Sequence, residues 1–65
     1  MGSSIIRLPD VIKVTALSRS AIYDLIAKGK FPKQIKLTTR SSGWLQSEVE
    51  QWIDERIALR DSEVA

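Results

Sequence analysis

The sequence predicts a mainly α domain with a small β-hairpin, arranged as a winged helix-turn-helix. Three observations carry this. Two short amphipathic stretches flank a tight turn at residues 15–17. A basic segment alternating polar and apolar residues, Gln34-Ile35-Lys36-Leu37, returns through a polar turn to Trp44-Leu45. An acidic helix then closes the chain behind a capping sequence, Ser47-Glu48-Val49-Glu50.

The first element is a short extended run, Ile5-Ile6-Arg7-Leu8, ahead of a helix over residues 9–15. Pro9 suits a first helical position and biases Leu8 away from helix. Asp10 lies in the first turn, where negative charge matches the dipole. Val11, Ile12 and Val14 supply the apolar side, and Leu17 plugs the turn that follows. The second helix is expected over residues 19–28. Ser18 is its N-cap, Ile22, Leu25 and Ile26 stand three and four apart on the buried stripe, and Gly29 takes the left-handed position past its end. Phe31-Pro32 bars further helix. The hairpin is expected over residues 34–45, with its polar turn at Thr38–Gly43, and it must lean on the helices to persist. The last helix is expected over residues 48–60, with Val49, Trp52 and Ile53 on one face. Residues 1–5 read as a disordered tip, residues 6–60 as the domain and residues 61–65 as a frayed tail.

Sixty-five residues hold one domain, and nearly every long apolar side chain is needed for its core. The core set is Val11, Ile12, Leu17, Ile22, Leu25, Ile26, Phe31, Leu37, Leu45, Val49, Trp52 and Ile53. Trp44 and Trp52 could serve as stacking platforms for single strands. A chain this small needs their bulk inside, with Trp44 anchoring the hairpin to the helices.

The composition narrows the chemistry. With neither Cys nor His, the chain has no disulfide, thiolate nucleophile, imidazole base or ordinary zinc ligand. The acids are strung along one helix in no metal-loop pattern, and no Gly-rich loop cradles a phosphate. An enzyme, a cofactor and a small-molecule ligand are therefore not expected. No run approaches the length of a membrane span, and no secretion signal is visible. Met1-Gly2-Ser3-Ser4 lacks the Ser or Thr that myristoylation wants at the sixth position, where Ile6 stands. A cytoplasmic protein, on the nucleoid when bound, is the expectation.

Charge points to a polyanion. Residues 1–45 hold eight Lys or Arg against two Asp, whereas residues 46–65 hold two Arg against six acids. At about 100° per residue, Ser20, Ala27, Asp24 and Tyr23 face away from the buried stripe of the second helix. Small side chains at Ser20 and Ala27 let a backbone approach a major-groove floor. Arg19 could meet a guanine edge or a phosphate, and Tyr23 a phosphate or sugar. Asp24 would be repelled by DNA unless paired, and Lys28 at i+4 is the natural partner. Arg40 marks the wing tip, with Lys33 and Lys36 on its approach and Ser41 and Ser42 able to add neutral phosphate bonds. The DNA-binding set is thus Ser18, Arg19, Ser20, Tyr23, Lys28, Lys33, Lys36, Arg40 and Ser41. An idle solvent face for Ser20 and Ala27, and a solvated loop at Arg40, are the competing readings.

Arg7-Leu8-Pro9-Asp10-Val11, Leu17-Ser18-Arg19-Ser20-Ala21-Ile22-Tyr23, Gly29-Lys30-Phe31-Pro32-Lys33, Gly43-Trp44 and Glu48-Val49-Glu50-Gln51-Trp52-Ile53 follow one another in order. In these pieces and their spacing the sequence resembles the AlpA-like family of prophage regulators, within the broad MerR-like winged-helix group, over residues 6–59. The resemblance implies a compact domain binding double-stranded DNA. Its role would be transcriptional regulation of prophage or mobile-element genes, or excision, in which the protein bends DNA. It carries recognition to Ser18, Arg19, Ser20 and Tyr23, and wing contacts to Lys36 and Arg40. An integrase or RNA polymerase would then be a neighbour. Two departures stand out: Ala16 where the family often has Gly, and a threonine pair at Thr38-Thr39 where relatives carry Gly or a further cation. Ile57 and Leu59 exceed what one core can cover, which leaves open a homodimer or a cooperative array on DNA. An interaction module that has lost DNA binding is the alternative from another class, motivated by Glu50, Asp54 and Asp61 on the last helix.

Overall fold

The computed structural model describes residues 4–64. They form β1 (Ile5–Ile6), α1 (Leu8–Thr15), α2 (Arg19–Ala27), β2 (Ile35–Thr38), β3 (Ser41–Leu45) and α3 (Gln46–Val64). The result is a mostly helical domain with a small antiparallel sheet of order β1-β3-β2, consistent with a winged-helix type of fold.

Local chemistry explains the helix pair. Pro9 and Asp10 sit in the first turn of α1. Thr15 closes that helix, its Oγ1 donating to the Val11 carbonyl at 2.7 Å and accepting from Leu17 N at 3.3 Å. Ala16 caps α1 in the left-handed conformation, at φ 60°. Ser18 Oγ accepts from Ala21 N at 3.1 Å and starts α2 as expected. Gly29, at φ 71°, ends it. The Gly29 N–H donates to Ile26 and the Lys30 N–H to Leu25, the double closure of a Schellman stop.

Val11, Ile22, Phe31, Trp44 and Val49 are the buried centre, and Ile6, Leu8, Ile12, Leu17, Leu25, Ile26, Trp52 and Ile53 pack around them. Trp44, 1% exposed, is the largest fully buried side chain. Its indole Nε1 donates to the Pro32 carbonyl at 2.9 Å, so burial leaves no polar atom unmet. Trp52 is only half-buried, packed edge-on against Phe31 with ring centroids 5.0 Å apart.

Several expectations are corrected. Ile5 belongs to a strand rather than to a loose tip: Ile5 and Ile6 pair with Leu45 and Trp44, and Gln46 N donates to the Ser4 carbonyl at 2.8 Å. The rest of the expected tip, residues 1–3, lies outside the described residues, as does residue 65. The polar turn is much tighter than residues 38–43, because only Thr39 and Arg40 separate the strands and Ser41 and Ser42 already pair. Leu37 is not core. It is 42% exposed, on an edge strand whose four residues are all exposed. Ile35 pairs with Gly43 and Leu37 lies over it, so both stand on the sheet face away from the buried Trp44, and Leu37 is also the unpaired residue of a bulge between Lys36 and Thr38. Leu45 is half-buried. The last helix begins earlier than predicted, at Gln46, whose Nε2 donates to Glu50 at 3.0 Å. It continues through residues 61–64 instead of fraying after Arg60.

Candidate nucleic-acid interface

The predicted contacts fall on two elements. On α2, Ser18, Arg19, Ser20, Tyr23, Asp24, Ala27 and Lys28 are exposed, while Ile22 is buried and Leu25 and Ile26 half-buried. One side of the helix is therefore committed to the core and the other is open. Tyr23 is 37% exposed, enough to keep part of its ring on that open side. Asp24 and Lys28 meet at 2.9 Å, the pairing expected from their spacing. The pair neutralises the one acid on this helix. Within the described residues Arg19 makes no ion pair, so its charge faces solvent undiminished.

The wing is organised by Thr38, one of the threonine pair that departs from the relatives' pattern. Thr38 Oγ1 accepts from Arg40 N at 3.2 Å and lies 2.7 Å from Ser41 Oγ. Thr38 thus pins both sides of the two-residue tip and holds Arg40 at its apex. The signal was available: a Thr two residues before the tip commonly closes a turn onto the backbone. Ser41 is half-buried with its hydroxyl engaged by Thr38, whereas Lys33, Lys36 and Arg40 are exposed. Residues 4–9 and 33–45, which include all three strands, hold four cations and no acid.

The two elements are tied together by the segment between them. Trp52 Nε1 donates to the Lys30 carbonyl at 2.8 Å and Trp44 Nε1 to Pro32 at 2.9 Å. Two indoles from β3 and α3 thus grip the stretch that leads from α2 to β2. Such a brace fixes where the wing leaves the helix, and a rigid frame is what simultaneous contact with two parts of a duplex requires.

An open groove runs between Gly29–Pro32 and α3, lined also by Glu48, Gln51, Trp52, Glu55, Arg56 and Leu59. Among the described residues no cluster of His, Cys, Asp or Glu is placed to hold a metal ion. No helix among them is long and apolar enough to cross a membrane.

The sequence has relatives among known proteins. Residues 4–57 match the family model described as prophage CP4-57 regulatory protein (AlpA). The chain is 49% identical over 55 residues to the uncharacterized protein ORF88 of Enterobacteria phage P4, covering 85% of this chain and 62% of that protein. The chain therefore spans less than two thirds of the phage relative's length. It is 36% identical over 61 residues to the DNA-binding transcriptional activator AlpA of Escherichia coli K12, covering 85% of this chain and 87% of that protein. With most of its length matched in this way, the chain belongs to the AlpA family of prophage regulatory proteins.

Proposed function

We propose that this protein is a sequence-specific, double-stranded DNA-binding regulator of transcription for prophage or mobile-element genes. The observation that carries the reading is the pair of open basic elements on one braced frame. These are an α2 face bearing Arg19, Ser20 and Tyr23, and a hairpin region of cations without acids that ends at Arg40. A relative 36% identical is named as a DNA-binding transcriptional activator. The order of helix pair, hairpin and closing helix suits a MerR-like winged helix.

In this reading α2 enters the major groove. Ser20 and Ala27 let the helix come close, and Arg19 and Tyr23 reach base edge, sugar or phosphate. Ser18 holds the helix start. Lys28 balances Asp24, which would otherwise oppose the phosphates. Arg40, with Lys33, Lys36 and Ser41, follows the backbone or the minor groove from the wing. The protein works in the cytoplasm, where DNA, polymerase and integrase are available.

Selection from a random-sequence duplex pool tests this. Retention of an enriched motif, lost on Arg19→Ala, is expected. Recovery of no motif and no retained duplex would leave the fold as an interaction module. Circular permutation of a retained site separates the outputs: little bending is expected of a promoter-bound regulator, and a strong bend would move the reading to excision.

A further inference from the structure

Asp24 occupies the centre of the open side of α2. At about 100° per residue, Ile22, Leu25 and Ile26 fix the buried direction, and Ser20, Asp24 and Ala27 all lie within about 35° of its opposite. Tyr23 and Lys28 stand on the two flanks, each about 70° from that opposite direction. Ser20 is one turn before Asp24 and Ala27 one turn after it, and all three are exposed. A groove floor approached by this face therefore meets one carboxylate between two small side chains. Asp is a short residue, and small neighbours are what let its oxygens reach a base edge.

An acid in that place opposes binding to every duplex that offers it no donor. Helix stability does not account for it, because an exposed i, i+4 pair contributes little. The Asp24 and Lys28 side chains remain 61% and 59% exposed in their 2.9 Å contact. That contact is made through Oδ2, and the carboxylate has no other partner among the described residues. The pair ties no distant segments together, since both residues belong to one turn. It presents an acceptor with spare capacity beside an ammonium group, both open to solvent.

Base chemistry decides what such a pair matches. A carboxylate only accepts hydrogen bonds and an ammonium only donates them. In the major groove, guanine and thymine offer a carboxylate no donor. Cytosine offers its N4 amino group with no acceptor beside it, and its guanine partner offers O6 and N7. Adenine sets the acceptor N7 next to its N6 amino group, where a carboxylate is repelled, and thymine sets a methyl group next to O4. An acceptor and a donor held side by side therefore fit C·G better than any other base pair.

We infer that Asp24 and Lys28 together read one C·G base pair in the major groove. Asp24 accepts from the cytosine N4 amino group. Lys28 donates to guanine O6 or N7 and steadies the carboxylate. This rests on the DNA-binding reading, with α2 in the groove. The acid acts through specificity more than through affinity: it penalises each site at which that base pair is replaced. Lys28 limits the penalty that the same acid suffers from the flanking phosphates.

The test is selection from a random-sequence duplex pool with the full chain as wild type, Asp24→Asn, Asp24→Ala and Lys28→Ala. Thermal unfolding checks that each variant is folded, and these exposed substitutions should move the midpoint little. The wild type should retain a motif containing a fixed C·G position. An amide both donates and accepts, which suits adenine N7 and N6, so Asp24→Asn should move that one position to A·T and leave the rest of the motif unchanged. Asp24→Ala should lose the preference there, a loss of about tenfold in discrimination, and should bind unmatched duplexes more tightly. Lys28→Ala should weaken discrimination at the same position. A motif unchanged at every position in Asp24→Asn and Asp24→Ala, with affinity raised evenly, would overturn the inference while sparing the DNA-binding reading. An affected position that is not C·G in the wild-type motif would overturn the base assignment. Failure of the folded wild type to retain any duplex would remove both the inference and the reading beneath it.

Discussion

Trp52 and Lys30 are joined across 22 positions of chain by one hydrogen bond, indole Nε1 to backbone carbonyl at 2.8 Å. Trp44 does the same to Pro32 at 2.9 Å. The two tryptophans differ in everything else. Trp44 is sealed in the core, while Trp52 keeps one side open with Arg56 6.0 Å from its ring centroid. Their truncations should differ accordingly. Trp44→Ala is expected to lose about 3–5 kcal/mol, which approaches the whole stability of a small domain. Trp52→Ala should lose less, and Trp52→Phe about 0.5–1.5 kcal/mol through the hydrogen bond. Urea denaturation monitored by circular dichroism ranks the three. Trp52→Ala proving the worse of the two alanine variants would misplace the core.

Ala16 holds a left-handed backbone at φ 60°, with its N–H bonded to the Ile12 carbonyl at 2.9 Å. An L-residue there carries about 1–2 kcal/mol of steric strain, partly offset by the unfolded-state entropy that glycine would add. Ala16→Gly should therefore stabilise the protein by roughly 0.5–1 kcal/mol. An unchanged or lowered midpoint in thermal unfolding would contradict the turn as described.

Gly43 is required for a different reason. A Cβ at this position would approach the Ile6 carbonyl oxygen to 2.9 Å, and a backbone atom cannot swing aside. Gly43→Ala should push β1 off the sheet and lose about 1–3 kcal/mol. Amide exchange at residues 5, 6 and 45 should accelerate in the variant. Unaltered exchange there would mean that β1 does not depend on the close approach.

Arg19 and Arg40 test the interface directly. Arg19→Ala should lower DNA affinity without changing the fold. If Arg19 reads a guanine, discrimination at one base pair falls by about 1–3 kcal/mol. If it holds a phosphate, affinity falls evenly across sequences and the salt slope drops by about one. Arg40→Ala should show the phosphate pattern. Unchanged affinity in both variants would remove this surface from the function.

Ser18 separates folding from recognition. Its hydroxyl already accepts the Ala21 N–H, so Ser18→Ala should destabilise by about 1 kcal/mol. Ser18→Asp keeps a cap acceptor but adds a negative charge at the proposed interface. It should fold well and bind DNA more weakly, as thermal unfolding and a binding titration on a single-site duplex would show. Equal affinity in Ser18→Asp would place this residue away from the phosphates.

The features legible in the sequence are those set within a few residues of one another. Ser18 and Gly29 bound α2 because a hydroxyl acceptor and a left-handed stop act within one turn, and Asp24 finds Lys28 because i and i+4 are neighbours on any helix. The apolar spacing of Ile22, Leu25 and Ile26 selects the buried side of α2 for the same local reason. That side determines which residues of the helix are left open to solvent.

Tertiary structure alone decided what depends on distant segments. Ile5 becomes a strand because β3 offers it hydrogen-bond partners some forty residues away. Leu37 reads as a core residue, but it stands on an edge strand and on the sheet face away from Trp44, and both leave it uncovered. Trp44 reads as an anchor and proves to be the largest side chain of the buried centre, since that centre is defined by which elements converge on it. The length of α3 follows likewise: it starts at Gln46, ahead of the expected cap at Ser47, and runs on to Val64, past the last residue that packs on the core. Hydrogen bonding and periodicity act along the chain and can be read from it; burial is a property of surfaces brought together, and exists only once the chain has folded.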